Sequence, residues 1–312
     1  MPQSVHVIPL VTIEEMQRHY ASSATNTPQG AIFRAKTTNA VITAYRSGKV
    51  LFQGKAPELE ANKWVSDSIS ALSGKSNSRQ ATNAKHPYSP PKTLFGHSHI
   101  GSDEAGTGDY FGPITVACVY VKEDQIAALK QIGVQDSKNL TDTTIKKLSK
   151  KILNQDITYS LLVLRNEKYN ALKASGWSQG KMKAMLHHHT INNVLQKINS
   201  SYEGILIDQF CEPSLYNKYI ASEKAKIANK TYFMTKAESY SIAVAAASII
   251  ARTSFLNEMD ELSDKLKITL PKGASNHVDK AIAKIMNEKG KDILNTCAKT
   301  HFVNTTKAEK YL

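Results

Sequence analysis

The sequence predicts an α/β chain of two domains: a small α+β unit, then a larger unit built on a central sheet. Three observations carry this expectation. Strand-like apolar runs alternate with segments of helical period across the last two thirds of the chain. A stretch rich in Ser, Asn, Pro and Lys, SGKSNSRQATNAKHPYSPPKT (73–93), interrupts the periodicity. A length of 312 residues suits two domains of roughly 150 residues each. The expected division is 1–72, a linker at 73–95, and 96–312.

In the first unit, Thr12-Ile13-Glu14-Glu15 matches a capping box with Thr12 as N-cap. Ile13, Met16 and Tyr20 follow at helical spacing. After Pro28-Gln29-Gly30 come two strand-like runs, AIFRAKT and AVITAYRSGKVLFQG, the second holding a Ser47-Gly48 hairpin signal. Pro57 suits the first turn of a further helix, whose buried stripe would be Val65, Ile69 and Leu72. In the second unit GPITVACVYV (112–121), ITYSLLVL (157–164) and GILIDQF (204–210) are expected strands. TDTTIKKLSKKI (141–152), with Thr141 as a possible cap, and KMKAMLHHHTINNVLQKI (181–198) are expected helices. YSIAVAAASIIARTSFLNEMDEL (240–262) reads as an Ala-rich buried helix running into an amphipathic one.

Composition narrows the partners. The chain has 40 Lys and Arg against 27 Asp and Glu, a formal net charge of +13 and a pI near 9.4. This favours nucleic acid or another anionic surface, although a merely soluble basic protein would look the same. No apolar run approaches the ~20 residues that span a bilayer. The N-terminal MPQSVHVIPLVTIEEMQ lacks the basic start of a signal peptide. Cys118, Cys211 and Cys297 are far apart and form no CxxC pair, so no thiolate zinc site is expected and a reducing cytoplasm is the simplest setting.

Against this basic background, IGSDEAGTGDYFGP (100–113) sets two acids, Asp103 and Glu104, beside a glycine pair. Asp208 ends the apolar run ILID, and Glu238 opens the Ala-rich helix in KAES. Each has a plain alternative: Asp208 as a turn or cap acid, Glu238 as an acid stabilised by a helix dipole. Together they suggest more. Clustered carboxylates repel one another and are costly to bury unless cations neutralise them. Mg²⁺ and similar hard cations prefer such oxygens, and two metals about 4 Å apart can clamp a phosphodiester. Neighbouring strand residues point to opposite faces, so Asp103 and Glu104 would share a site only where the strand bends or ends.

Gly106-Thr107-Gly108 permits positive φ and an anion nest. Its spacing fits neither a Walker A loop nor a dinucleotide fingerprint, and a plain hairpin turn is the alternative. His187-His188-His189 would diverge on a helix and is not expected to ligate a metal. Lys138 could meet a phosphate or solvent, and His301 could approach the site or cap a helix. Arg34, Lys36, Arg46 and Lys49, with Phe33 and Tyr45 nearby, could form a β-surface that grips a duplex, or a solvated face.

The order DEAGTGDYFGP, QDSKNL, ILIDQF, KAESYSIAVAAASIIAR resembles the type 2 ribonucleases H, and within them the bacterial ribonuclease HIII family. GTG followed by DYFGP stands where the HII branch carries Gly-Arg-Gly, and Glu238 stands where that branch carries Asp. Residues 1 to about 72 match the extra N-terminal domain of HIII, which resembles the TATA-box-binding protein fold. LPKGASNHVD and THFVNTTK also look like HIII segments. The resemblance implies a ribonuclease-H-like catalytic domain with a mixed central sheet. It implies an endonuclease that cuts the RNA strand of RNA–DNA hybrids and leaves 5′-phosphate and 3′-hydroxyl ends. The catalytic carboxylates would be Asp103, Glu104, Asp208 and Glu238, binding Mg²⁺ or Mn²⁺ in a two-metal site.

Gly106, Thr107 and Gly108 would contact the scissile ribonucleotide and sense its 2′-hydroxyl, the group that distinguishes RNA from DNA. Lys138 and Ser239 would add substrate contacts, and the N-terminal unit, with Arg34, Lys36, Arg46 and Lys49, would add affinity. A cytoplasmic monomer with a hybrid as partner, and no membrane, is expected. The family often has Lys where Thr107 stands; if backbone amides make the contact, the exchange matters little. The alternatives are an HII-like enzyme that cuts at single embedded ribonucleotides and a non-catalytic hybrid-binding protein.

Overall fold

The computed structural model describes residues 3–28, 30–70, 87–134 and 140–312, with backbone alone for 65–70. The chain divides into two compact units, Met1–Asn83 and Ala84–Leu312. Most of the expected linker, Leu72, the side chains of Val65 and Ile69, and Lys138 fall outside what is described.

The first unit contains β1 (Gln3–Val7), α1 (Leu10–His19), β2 (Ala31–Lys36), β3 (Ala40–Tyr45), β4 (Lys49–Gly54) and α2 (Pro57–Ser70). The strands form one antiparallel sheet ordered β1-β4-β3-β2. Alternate strand residues, Phe33, Ala35, Ile42, Ala44, Val50 and Phe52, form a core with Ile13, Met16 and Tyr20 of the first helical segment. Gly48, at φ +81°, makes the β3–β4 turn, and its N–H donates to the Tyr45 carbonyl at 3.0 Å. Two expectations are corrected. The first helix begins at Leu10 with Pro9 as N-cap, because the Pro9 carbonyl already accepts from Ile13 N at 3.0 Å; Thr12 lies inside the first turn. The sheet also has a strand at Gln3–Val7 that hydrophobic patterning does not announce, since none of its residues is buried.

The second unit contains β5 (His99–Ala105), β6 (Ile114–Val121), α3 (Glu123–Gln131), α4 (Asp142–Leu153), β7 (Thr158–Leu164), α5 (Asn166–Ala174) and α6 (Gln179–Lys197). It continues with β8 (Ile205–Asp208), α7 (Pro213–Ser222), β9 (Thr231–Met234), α8 (Ile242–Leu266), α9 (Asn276–Lys289), α10 (Leu294–Cys297) and α11 (Asn304–Ala308). The sheet order is β7-β6-β5-β8-β9; β5 pairs antiparallel with β6 and parallel with β8. All eight residues of β6 are buried, which explains its unbroken apolar run: Ala117, Val119 and Val121 face the core that includes α8, and Cys118 and Tyr120 the core that includes α6.

The Ala-rich start of α8 exists to lie close on β5. A Cβ on Gly101 would come within 2.2 Å of the Val244 nitrogen, so glycine opposite Ala243 and Val244 sets the approach. The described end of the expected linker packs on this unit: Phe233 N donates to the Tyr88 carbonyl at 2.9 Å, and Leu94 is buried.

Candidate active site

A cleft of about 440 Å³ is lined by Asp103, Glu104, Asp208, Glu238, Ser248, Asp142 and Arg252, among others. The four acids expected from sequence therefore share one cavity. Asp208 ends β8, and Asp103 stands two residues before the end of β5, its parallel neighbour. The β5–β8 pairing ends at Ser102↔Ile207, one residue before them, and the crevice begins there.

Of the two alternatives, a bend or a strand end, no bend is seen at Asp103–Glu104, and β5 ends one residue later at Ala105. The β5–β6 ladder runs without a register shift to Ala105↔Thr115. The two side chains do take opposite faces: Asp103 interacts with Ser248 of α8, and Glu104 meets Lys183 and His187 of α6. Both still line the cleft, which opens beyond the last β5–β8 pair, where the two central strands come to their C-terminal ends. Glu238 lies in a short 3-10 turn, Ala237–Ser239, rather than in the Ala-rich helix. That helix starts at Ile242, where Ser241 caps it by accepting from Val244 N at 3.1 Å. The turn is tied to β8 by Ala237 N, which donates to Asp208 Oδ1 at 2.8 Å.

The electrostatics of the acids differ. Burial pushes the Asp103 carboxyl well above the aspartate range, and the Glu104 and Asp208 charges push it further. Asp208 is also raised, by burial first, then by Glu238 and Glu104, against the Ala237 hydrogen bond. Burial acts upward on Glu104 too, but His187 and Lys183 outweigh it and hold its carboxyl below the usual range. Lys183 Nζ donates to Glu104 Oε1 at 2.6 Å, and His187 Nε2 lies 3.0 Å from Oε2. The Ser102 hydroxyl donates to the Ala117 carbonyl at 3.0 Å and so accepts from His187 Nδ1 at 2.7 Å.

Among the described residues no three His, Cys, Asp or Glu side chains are already gathered as a metal-binding group. The donor set nevertheless suits a hard divalent cation: acidic oxygens converge, and Asp103 is buried with repulsive neighbours and, among the described residues, no cationic partner of its own.

Gly106 and Gly108 have different reasons to be glycine. Gly106 sits at φ +85°, and a Cβ there would come 2.3 Å from the Pro113 oxygen. Gly108 has no such φ, and a Cβ would meet nothing within 4 Å; its surroundings leave open space for a ligand. The Thr107 hydroxyl oxygen is buried, with no hydrogen-bond partner among the described residues, while the Thr107 carbonyl accepts from Gln179 Nε2 at 3.1 Å. The Thr107 hydroxyl is therefore turned inward at this turn, although the residue is partly exposed. Below it, fully buried Lys299 donates to the carbonyls of Asp109 (2.8 Å) and Gly112 (2.6 Å), and the main chains bond through Lys299 N to Tyr110 O at 2.8 Å. The turn is also the β5–β6 connection, so the hairpin and ligand-turn expectations coincide.

Sequence reasoning missed Lys183, His187, Gln179, Lys299 and the pair Asp142–Arg252 (3.3 Å), whose Asp142 also meets Lys272. The available signal for two of them was the four-residue spacing of Lys183 and His187 on one helix. The histidine triplet diverges as expected: His187 faces Glu104, His188 pairs with Asn192 at 3.0 Å, and His189 is exposed. His301 does not line the cleft and stands 5.6 Å from the Tyr169 ring. Ser239 is exposed in the turn beside Glu238.

In the first unit, Arg34, Lys36 and Lys49 alternate with the buried positions and occupy the face opposite the core, with Val41, Thr43 and Leu51 between them in register. Arg46 lies in the β3–β4 turn. Phe33 is buried in the core and takes no part in that face, whereas Tyr45 is half-buried.

A ribonuclease HII family model matches residues 100–305, and a model of a domain of unknown function, DUF3378, matches residues 3–77. The chain is 57% identical to ribonuclease HIII of Oceanobacillus iheyensis over the whole of both chains. Among solved structures it is similar to Bst-RNase HIII in complex with Mn²⁺, at 42% identity and a TM-score of 0.69, covering 99% of each chain. Ribonuclease H2 of Pyrococcus horikoshii, at 22% identity and a TM-score of 0.57, covers 69% of this chain and 98% of its own, and shows the fold alone. The HII-type match thus covers the second unit, and the full-length matches include the first. The mixed sheet is that of the ribonuclease-H-like fold, and the chain belongs to the ribonuclease HIII family.

Proposed function

We propose that the chain is a metal-dependent endonuclease that hydrolyses the RNA strand of RNA–DNA hybrids, leaving 5′-phosphate and 3′-hydroxyl ends. One observation carries this reading: acids from β5, β8 and the turn before α8 converge in one cleft, with buried Asp103 repelled by its neighbours. Asp103, Glu104, Asp208 and Glu238 would hold Mg²⁺ or Mn²⁺. Bound there, two such ions supply an activated water and charge stabilisation for the departing 3′-oxygen.

The chain's own residues do the rest. Gly106 holds the turn, and open Gly108 lets backbone approach the ribose and its 2′-hydroxyl. Gln179 and Lys299 fix the turn from behind by its carbonyls. Lys138 and Ser239 are further proposed substrate contacts. The first unit, residues 1–72 with a linker at 73–95, would bind the hybrid through Arg34, Lys36, Arg46 and Lys49, and its likeness to the TATA-box-binding protein fold is part of this proposal. No helix among the described residues is long and apolar enough to cross a membrane. Three free cysteines fit a cytoplasmic enzyme, which we propose acts as a monomer.

Cleavage of two labelled duplexes, one with a single ribonucleotide and one with a run of four or more, tests the reading. Metal-dependent cutting within the run, abolished by chelator and by Asp208→Asn, is expected. Cutting only at the single ribonucleotide would move the enzyme to HII-type activity. Binding without cleavage in either metal would make it a hybrid-binding protein. Removal of residues 1–72 is expected to weaken hybrid binding while cleavage chemistry persists; an unchanged binding constant would contradict the role given to that unit.

A further inference from the structure

The α6 side of the cleft holds a cation of its own. Both carboxylate oxygens of Glu104 are engaged, by Lys183 at 2.6 Å and by His187 at 3.0 Å, with side-chain exposures of 10% for Lys183, 13% for Glu104 and 0% for His187. The two partners lie one helical turn apart and present the same way. Phe210, two residues beyond Asp208, backs them both: Lys183 Nζ is 4.0 Å from its ring centroid, and the His187 ring stacks on it at 5.2 Å and 18°. Lys183 is therefore seated by an aromatic face as well as by the acid.

We infer that Lys183 is a positioning residue that competes with the divalent cation for Glu104, an acid that already lines the cleft, so that a bound metal must share or displace the Lys183 contact. This rests on the metal-dependent reading of the site. Three features support competition over simple charge balance. Each Glu104 oxygen already carries one hydrogen bond, so a metal at either oxygen must share it with Lys183 or His187 while both contacts last. Asp103, the adjacent acid, has no such cationic partner among the described residues and bears the repulsion. His187, held between Ser102 and Glu104, already engages one Glu104 oxygen, so Lys183 is a second partner on the same carboxylate, beyond what holding Glu104 in place requires. A positive charge fixed this close to the acids opposes the approach of a divalent cation, because both are attracted to the same oxygens and repel each other.

The test is Mn²⁺ uptake by the metal-free full-length protein, followed by the electron paramagnetic resonance signal of free Mn²⁺. Lys183→Met is expected to tighten Mn²⁺ binding by roughly tenfold, the scale of one nearby charge screened by partial solvent access. Lys183→Gln, which keeps a hydrogen-bond donor but no charge, is expected to do the same and carries the test if Lys183→Met does not fold. Lys183→Arg, which keeps the charge, is expected to restore wild-type affinity. Unchanged or weaker binding in both neutral variants overturns the inference, since Lys183 would then orient Glu104 for the metal or merely support the fold. Asp103→Asn is the control. If wild-type uptake does not depend on Asp103, the metal reading fails and this inference with it; if it does, the Lys183 result stands alone.

Discussion

Glu60 and Asp103 are both buried acids, one in each unit, and their surroundings are opposite. Glu60 is 2% exposed and accepts from Tyr20 (2.9 Å), Lys63 (2.9 Å) and Asn39 (3.2 Å). Burial pushes its carboxyl upward, but hydrogen bonds from Lys63, Tyr20 and Asn39 outweigh this and lower it. Asp103 is 7% exposed, and its neighbours Glu104 and Asp208 add to burial in raising it. A buried acid supplied with donors is part of the scaffold. A buried acid surrounded by other acids stays frustrated until a cation arrives, and such frustration marks function. Glu104 lies between the two cases, an acid of the cleft with scaffold-like partners.

The sharpest way to break this comparison is Asp103→Asn. Cleavage of a hybrid in Mg²⁺ is expected to fall by roughly 1,000-fold or more in single-turnover assays, since charge neutralisation at the phosphate carries most of the catalysis. The melting temperature of the metal-free variant is expected to hold or rise, because a repulsive acid has gone. A large fall in melting temperature would make Asp103 a structural acid like Glu60.

Glu60→Gln should behave in the converse way. Denaturant unfolding of the first unit is expected to lose about 2–3 kcal/mol, the scale of breaking a buried charged network, with kcat unchanged. The pH dependence follows from the sign of the shift. A carboxyl lowered in the folded state contributes its stability fully above the ordinary glutamate pKa and loses it as pH falls through the folded value. The acid limb of the first unit's unfolding profile is therefore expected to flatten in Glu60→Gln, and an unaltered limb would refute the network's role.

The two glycines sharpen the comparison within the cleft. Gly106→Ala is expected to destabilise by about 1–3 kcal/mol, from its positive φ and the Pro113 clash. Gly108→Ala is expected to leave the melting temperature unchanged and to weaken cleavage of the hybrid roughly tenfold, the scale of one lost close approach. Equal stability losses in both would remove the case for a ligand at Gly108. The smallest effects belong to the first unit: Lys36→Ala is expected to weaken hybrid binding a few-fold and reduce the salt slope by about 1. A slope unchanged by this substitution would mean that this face meets solvent.

Much of the site was legible because acids in apolar or glycine-rich settings stand out. Asp208 at the end of ILID marks a strand end and Asp103 follows a short β-like stretch, and the structure places both just past the last β5–β8 pair. The partners of Glu104 were not legible. Lys183 and His187 sit inside an apolar helix, and only the fold reveals that their shared face meets β5. The histidine triplet drew attention to consecutive residues, whereas the pairing that matters skips three. Near the C-terminus His301 stood out in the sequence, but Lys299 is the buried residue that holds the turn, through contacts that span 190 and 187 positions in the chain. Thr12 misled because the capping pattern is local, and Pro9 had already supplied the helix start. The strand at Gln3–Val7 is held by backbone pairing to β4 more than by burial, so hydrophobic patterning could not announce it.

The central claim is that the frustrated acids of the cleft, and not buried acids in general, hold the metal. Mn²⁺ titration of wild type, Asp103→Asn, Asp208→Asn and Glu60→Gln by isothermal calorimetry addresses it directly. The account expects wild type and Glu60→Gln to bind Mn²⁺ alike, and both cleft variants to lose the binding heat. Retention of full Mn²⁺ affinity in Asp103→Asn and Asp208→Asn, with both proteins folded, would contradict it.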